Sequence, residues 1–316
     1  MIAVCLATCD PRPDLLVAQL ESLRSQRGVA WTCVVDDESA SPAGRRALRE
    51  ALAGDERFDV REHGDRVGPY RNFERCLARA GRDVEAVAPC DQDDVWHPGK
   101  LEVLLAALRR RGATLAYADL RIVDAGGAVL SPTYWTNRDN SWTDLGDLLA
   151  TNVVTGAASL VRRDVLDVAL PFPEALDGAF HDHWLACVAL ALGDLAYVDR
   201  PLVDYVQHGA NVVGHSERRR RGERGGGEPL AVRAARDRER HVLRPQAFAR
   251  ALLDRCAGRM TPAKRRAAER AARGDGSPRG LAAILAGAAR EQLAPRRTLE
   301  ARRRAARGAL LGRFGR

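Results

Sequence analysis

The order of apolar segments predicts an α/β fold built on a mainly parallel sheet with helices on both faces. Short continuous apolar runs, typical of buried strands, alternate with segments in which apolar residues recur at helical spacing. This strand–helix alternation continues to about residue 90. Because parallel strands need helical crossovers that pack on the sheet, we expect both faces to be covered.

The elements of this first part follow one another with short turns between them. Residues 2–7 form a continuous apolar run and predict the first buried strand. The same criteria predict strands at residues 31–35, 58–61 and 84–89, and helices at residues 14–26, 45–53, 72–80 and 101–108.

The strict alternation is lost in the second part of the chain. The pair Gly126-Gly127 predicts a hairpin turn. Around it and beyond it, we predict strands at residues 114–119, 120–124, 128–130, 157–161, 195–198 and 202–206, and helices at residues 145–151 and 185–192.

Charge divides the chain of 316 residues into two parts, although the formal net charge is only +8. Residues 211–316 carry 28 Lys and Arg against 10 Asp and Glu, which leaves an acidic body. An arginine run at residues 218–221 and a glycine run at residues 225–227 predict a boundary near residue 216. We therefore expect a domain at residues 1–215 and a basic, arginine-rich helical extension at residues 216–316.

The sequence also bears on the cellular compartment of the protein. Its seven cysteines include no CxxC pair, so neither a disulfide framework nor a zinc site is predicted. No secretory signal is visible, and uncharged apolar runs are far shorter than the ~20 residues that span a bilayer. We expect a cytoplasmic protein whose basic extension binds the anionic inner face of the membrane. The alternative is a helical bundle whose arginines are merely solvated.

Three carboxylates lie in the sequence Asp-Gln-Asp-Asp-Val-Trp, directly after the strand predicted at residues 84–89. Asp91, Asp93 and Asp94 would sit at the carboxyl end of that strand, where open α/β sheets bind ligands. Carboxylates this close repel one another, and a Mg²⁺ or Mn²⁺ ion would relieve the repulsion. The alternative is a solvated acidic turn that caps the next helix.

A second acidic pair, Asp36 and Asp37, ends the strand predicted at residues 31–35 and faces the same sheet edge. A carboxylate there can accept the imide N–H of a uracil or thymine ring, although helix capping is an equal alternative. The dinucleotide fingerprint GxGxxG and the P-loop GxxxxGK[ST] are both absent. A nucleotide would therefore have to be held in another way.

Three further candidates lie later in the chain. Gly156 precedes a predicted strand and would allow close backbone approach to a ligand, unless it is only a bulge. Asp182 begins a predicted helix, whose dipole favours a charged base, although an N-cap is the alternative. His208, beside a glycine at a strand end, is either a metal or phosphate ligand or a structural histidine.

These motifs together resemble family 2 glycosyltransferases of the GT-A fold, most closely their rhamnosyltransferase-like bacterial branch. The resemblance covers about residues 1–215, and residues 216–316 show no comparable one. It rests on VCLAT, VVDDES, the loop with Asn72-Phe73, DQDDVW followed by Lys100, NVVTG, HDHW and YVQHGANVVG, in that order.

The resemblance implies a donor-binding set, a metal-binding set and one general base. Asp37 would recognise the base with help from Asp36, and Asp91 would lie nearer the ribose or sugar. Asp182 would be the catalytic base, preceded by His181 where the family usually has glutamate. The donor-binding set is Thr8, Asp36, Asp37, Asn72, Asp91 and Gly156, and the metal-binding set is Asp91, Asp93 and His208.

The implied activity is metal-dependent, inverting transfer from dTDP-rhamnose or a UDP-hexose, with Mn²⁺ or Mg²⁺ as cofactor. The acceptor would be a hydroxyl of a glycan or lipid-linked molecule in cell-surface polysaccharide synthesis. A sugar-nucleotide nucleotidyltransferase is the main alternative, but it needs a glycine-rich loop where residues 8–13 read Thr-Cys-Asp-Pro-Arg-Pro. A nucleic-acid-binding protein is a further alternative, disfavoured because the basic extension lacks interleaved aromatic residues.

Overall fold

The computed structural model describes residues 1–135, 144–176, 178–208 and 243–273. The strands are β1 (Ile2–Thr8), β2 (Trp31–Asp37), β3 (Phe58–Glu62), β4 (Ala86–Cys90), β5 (Val95–Trp96), β6 (Leu115–Asp124), β7 (Val129–Ser131), β8 (Ser159–Arg162) and β9 (Leu195–Gln207). The helices are α1 (Pro13–Arg24), α2 (Pro42–Leu52), α3 (Pro69–Ala78), α4 (Lys100–Arg111), α5 (Leu145–Ala150), α6 (Leu166–Ala169), α7 (His181–Leu192), α8 (Arg244–Cys256) and α9 (Pro262–Arg273).

The strands form one sheet in the order β3-β2-β1-β4-β8-β6-β9-β5, with β7 paired to β6. Strands β3, β2, β1 and β4 pair parallel with one another. Strand β8 then pairs antiparallel with both β4 and β6, and β6 is parallel to β9. The predicted α/β fold is confirmed, with the parallel part concentrated in the first four strands.

Apolar side chains cover both faces of this sheet. Along β1, Ile2, Val4 and Leu6 belong to one buried cluster, while Ala3 and Cys5 belong to another. Successive side chains of a strand point to opposite faces, so the two clusters lie on opposite sides of the sheet. Helices α1, α2 and α4 contribute to the first cluster, and α3 and α5 to α9 contribute to the second.

Two predicted strand breaks lie at one bulge between β6 and β9. The segments predicted at residues 114–119 and 120–124 form one strand, β6, and the two segments predicted within residues 195–206 form β9. The pairing of β6 with β9 shifts register where Asp119 faces Pro201. Proline has no N–H to donate to a ladder, so the two strands bulge there and continue.

Helices α8 and α9 pack on the body of the protein. Helix α8 contacts α7, and α9 contacts both α8 and α5. Residues Met1–Tyr134 and Ser141–Gly274 form one compact unit. The second unit, Trp135–Asn140 and Asp275–Arg316, lies outside the described residues apart from Trp135.

The predicted domain boundary near residue 216 also lies outside the described residues, so the division at that position stays a prediction. Across the part of the chain that the structure describes, none of the helices has the length and apolar character to span a bilayer.

Candidate active site

The carboxyl ends of β1, β2 and β4 bring three of the predicted segments to one sheet edge. Thr8 ends β1 and is the register partner of Asp37, which ends β2. Leu6 of β1 is the register partner of Cys90, which ends β4 directly before Asp91. Because these strands are parallel, the polar residues that follow them share one edge of the sheet.

Asp37 is fully buried at this edge, with one of its two carboxylate oxygens occupied. Oδ1 accepts hydrogen bonds from Thr8 Oγ1 at 2.8 Å and from Ser39 Oγ at 2.6 Å. Within the described residues, Oδ2 has no hydrogen-bond partner. A buried acceptor without a partner costs folding free energy, so Oδ2 is suited to a donor supplied by a ligand. The capping alternative does not apply, because the N-cap of α2 is Ser41.

Asp36 is also fully buried, but protein groups occupy both of its oxygens. Oδ1 lies 2.6 Å from His63 Nε2, and Oδ2 accepts from Arg79 at 2.7 Å. Asn72 Nδ2 donates to the carbonyl oxygens of Thr8 and Asp36, each at 3.2 Å. Asp36 and Asn72 therefore brace the ends of β1 and β2, whereas Asp37 keeps one carboxylate oxygen without a hydrogen-bond partner among the described residues.

The acidic motif after β4 is held against the end of β9. Strand β5 pairs antiparallel with β9, and Asp94 accepts the Val206 N–H at 3.3 Å. This pairing places His208 Nε2 2.8 Å from Asp93 Oδ2, although the two residues are 115 positions apart. Asp94 is buried, and none of the three aspartates caps α4, because the residue at its N-cap is Gly99.

A glutamine joins this motif to the loop after β1. Gln92 Oε1 accepts the Cys9 N–H at 2.8 Å, and Gln92 Nε2 donates to the Cys9 carbonyl at 3.3 Å. The acidic motif and the Thr8–Asp37 pair are thereby fixed relative to one another.

The motif carries closely spaced negative charge. Burial, followed by repulsion from Asp93 and Asp182, raises the pKa of Asp91 to about 7. Burial also raises the pKa of Asp94 well above its usual range. The Lys100 amino group lies buried over the Trp96 ring, and burial lowers its pKa well below the usual range. Lys100 lowers the pKa of Asp91, but its effect is smaller than that of burial and repulsion.

Among the described residues, Asp93 and His208 do not form a metal site by themselves. In the described ranges, no group of three or more His, Cys, Asp or Glu is arranged to hold an ion. Asp93 and His208 lie in contact, and Asp91 is close enough to Asp93 for repulsion to raise its pKa. Mg²⁺ typically takes one or two protein carboxylates and completes its shell with phosphates and water. These side chains are therefore sufficient to hold a cation only when a bound substrate supplies further oxygen ligands.

Asp182 lies in the first turn of α7 and is held by three N–H groups. Its Oδ1 accepts from Asn152 Nδ2 at 2.9 Å and from the His183 N–H at 2.6 Å, and its Oδ2 accepts from the Gly156 N–H at 3.1 Å. Burial outweighs these bonds and raises the pKa of Asp182 to about 6. The result is an oriented carboxylate that is ionised at neutral pH and more basic than an ordinary aspartate.

His181, which stands where the resembling family usually has glutamate, is a buried packing residue. Its ring stacks on Phe73 with 3.6 Å between centroids. Burial lowers the pKa of His181 to about 3, so the ring is neutral. A Cβ added to Gly156 would lie 2.6 Å from His181 Nε2. Gly156 is therefore required by the close approach of the residues around Asp182.

Replacing Gly156 by Ala should displace the His181 ring and disturb the Gly156 N–H···Asp182 bond. We expect a loss of about 1–3 kcal/mol in the free energy of unfolding, as in other overpacked sites. Chemical denaturation measures this loss. Gly64→Ala is the matched control, because its added Cβ would meet nothing within 4 Å. Equal stability of the two variants would contradict the packing argument.

Two residues important to the site were not predicted. Asn152 orients Asp182, and Gln92 connects the acidic motif to the loop after β1. Asn152 lies in the Asn-Val-Val-Thr-Gly motif, so its place beside Gly156 was the available signal. Gln92 lies between two carboxylates and gave no signal of its own.

Comparison with known proteins identifies the family. Residues 4–169 match the sequence model described as glycosyl transferase family 2. Since the match covers more than half of the 316 residues, the chain belongs to that family. The family predicted from the sequence motifs is confirmed.

One curated relative is the uncharacterized protein y4gI of Sinorhizobium fredii. It is 30% identical over 131 residues, which are 40% of this chain and 14% of that protein. The match thus spans about one seventh of the length of that relative.

Solved structures of S. aureus TarS have a similar fold. TarS 1–349 in complex with UDP-GlcNAc superposes with a TM-score of 0.56 at 16% identity, over 80% of this chain and 67% of that one. A further TarS structure gives a TM-score of 0.52 at 14% identity, over 87% of this chain and 53% of that one. Together with the family match, this similarity confirms the predicted GT-A fold.

Proposed function

We propose that this protein is an inverting glycosyltransferase that uses a nucleotide-diphosphate sugar. The observation that carries the proposal is Asp182, an oriented carboxylate with a raised pKa close to the Asp91–Asp93 pair. Family membership supports the reaction class. Two of the TarS structures were determined with UDP-GlcNAc or UDP, which supports a nucleotide-sugar donor.

In this proposal the nucleotide binds at the ends of β1 and β2. Asp37 Oδ2 accepts the imide N–H of uracil or thymine, which would pair a buried oxygen that has no protein partner. Thr8 and Ser39 hold the other oxygen and fix the plane of the carboxylate. Asp91 then lies nearer the ribose or sugar, and Gly156 lies beside the sugar.

Asp182 acts as the general base. It removes the proton of the acceptor hydroxyl while that oxygen attacks the anomeric carbon, and the bond from that carbon to the diphosphate breaks. Attack from the face opposite the leaving group inverts the anomeric configuration. Asn152 Nδ2 and the Gly156 N–H hold the carboxylate in place during this step.

We propose that Asp91, Asp93 and His208 hold Mn²⁺ or Mg²⁺ together with the donor diphosphate. A bound cation supplies Lewis-acid neutralisation of the charge on the leaving group. The acceptor class, a glycan or lipid-linked hydroxyl in cell-surface polysaccharide synthesis, is part of the same proposal. So is attachment of the basic C-terminal residues to an anionic membrane surface.

Donor binding tests the proposal. We expect dTDP-rhamnose or a UDP-hexose to bind in isothermal titration calorimetry, with higher affinity when Mn²⁺ is present. Incubation with an acceptor should then release nucleoside diphosphate. Pyrophosphate release from a nucleoside triphosphate would instead indicate a nucleotidyltransferase. Steeply salt-dependent RNA binding without sugar transfer would indicate the nucleic-acid-binding alternative, which the proposal excludes.

A further inference from the structure

An exposed aromatic side chain stands at the start of the helix that carries Asp182. Phe180 is 45% exposed, while its neighbours Ala179 and His181 are 7% and 8% exposed. Within the described part of the chain, the other large apolar side chains with comparable exposure are aliphatic: Met1, Val17, Val60, Val129 and Leu130. Phe180 is thus the aromatic one among them, and it adjoins the candidate site.

The backbone around Phe180 is held on both sides. The Ala179 N–H donates to the Leu176 carbonyl at 2.8 Å, and the Trp184 N–H donates to the Phe180 carbonyl at 3.4 Å. The His181 ring is fixed by its stack on Phe73. Exposure of Phe180 is therefore a consequence of fixed local structure.

Phe180 is close to the proposed base. Two residues of chain span at most about 7 Å between Cα atoms, so Phe180 and Asp182 are near neighbours. A sugar ring that contacts Phe180 could therefore present a hydroxyl to Asp182. Sugar C–H groups carry partial positive charge, and the face of an aromatic ring is negative, so the two surfaces attract.

We propose that Phe180 binds the acceptor, by stacking its ring on the C–H face of the pyranose whose hydroxyl is delivered to Asp182. This inference rests on the proposed function and narrows it, because it makes the acceptor terminus a sugar ring. Phe180 then acts on acceptor affinity and takes no part in donor binding.

Methyl pyranosides serve as acceptor probes, for example the methyl glycosides of L-rhamnose, D-glucose and D-galactose, together with the donor that binds in calorimetry. We expect Phe180→Ala to raise the KM for the accepted glycoside about tenfold, within the range of an aromatic contact. The kcat at saturating glycoside and the Kd of the donor should not change. Phe180→Trp should retain the low KM, and Leu130→Ala, at an exposed position in β7, should match the unmodified protein.

Two results would overturn this inference while the proposed function stands. One is an unchanged KM in Phe180→Ala. The other is a protein that binds the donor but neither binds nor glycosylates any methyl pyranoside, which would rule out a pyranose ring as the group that Phe180 binds. If no nucleotide sugar binds at all, the proposed function fails, and this inference fails with it.

Discussion

Replacing Asp182 by Asn is expected to lower kcat by about 10²–10⁴-fold, the usual contribution of a general base. Asparagine has nearly the same size and can still accept hydrogen bonds from Asn152 and the His183 N–H, but it cannot take up the acceptor proton. Donor affinity should stay nearly unchanged, because Asp182 acts on the acceptor. Steady-state kinetics and calorimetry on the same samples measure the two quantities.

Asp144→Asn is the matched control for this substitution. Asp144 caps α5 by accepting the Asp147 N–H, and asparagine caps helices equally well. Turnover should therefore be retained in Asp144→Asn and lost in Asp182→Asn. Full activity of the Asp182→Asn variant would show that Asp182 is not the general base.

The pH dependence provides a second readout of the same residue. Because burial raises the pKa of Asp182 to about 6, turnover of the unmodified protein should fall about tenfold per pH unit below that value. The pH dependence of the free energy of unfolding has the opposite sign. A raised pKa means that the folded state holds the proton more tightly than the unfolded chain, whose Asp titrates near about 4. The contribution of Asp182 to the free energy of unfolding should therefore grow as pH falls from about 6 to about 4, and Asp182→Asn should lack this contribution.

Periodicity predicted the longer elements because their apolar side chains fill the two clusters that cover the sheet. It could not predict β5, which has two residues and forms only because β9 is there to pair with it. It also placed the start of α3 too late. The chain turns at Gly68, whose φ is 82°, and Pro69 then opens the helix.

The candidate site was predictable where polar residues end a strand or begin a helix. Asp37, Asp91 and Asp182 lie at such positions, so sequence position made them candidates, and the family resemblance then assigned their roles. The different environments of Asp36 and Asp37 depend on the alternation of side chains along β2. The Asp36 carboxylate pairs with Arg79, whereas the Asp37 carboxylate accepts a hydrogen bond from Thr8. Only the three-dimensional packing determines which aspartate meets which partner.

The contact between Asp93 and His208 depends on the pairing of β5 with β9. It identifies Asp93 as the carboxylate whose replacement tests metal binding. Asp93→Asn should abolish the gain in nucleotide-sugar affinity that Mn²⁺ provides. The expected loss is at least roughly 100-fold, the upper end of what loss of an outer-shell partner costs at metal sites. Calorimetric titration of the donor, with and without Mn²⁺, measures it. An Asn oxygen can still accept a hydrogen bond from His208, so the β5–β9 region should stay folded.

Thermal stability separates a metal ligand from a merely structural aspartate. Asp93 repels Asp91 and helps to raise its pKa, so without divalent ions the Asp93→Asn protein should be at least as stable as the unmodified one. Asp65→Asn, which removes a surface charge paired with Arg75, should leave the Mn²⁺ effect intact. If Mn²⁺ still strengthens donor binding in Asp93→Asn, the carboxylate of Asp93 does not hold the ion. A marked fall in Tm without divalent ions would instead indicate that the Asp93–His208 contact serves the fold.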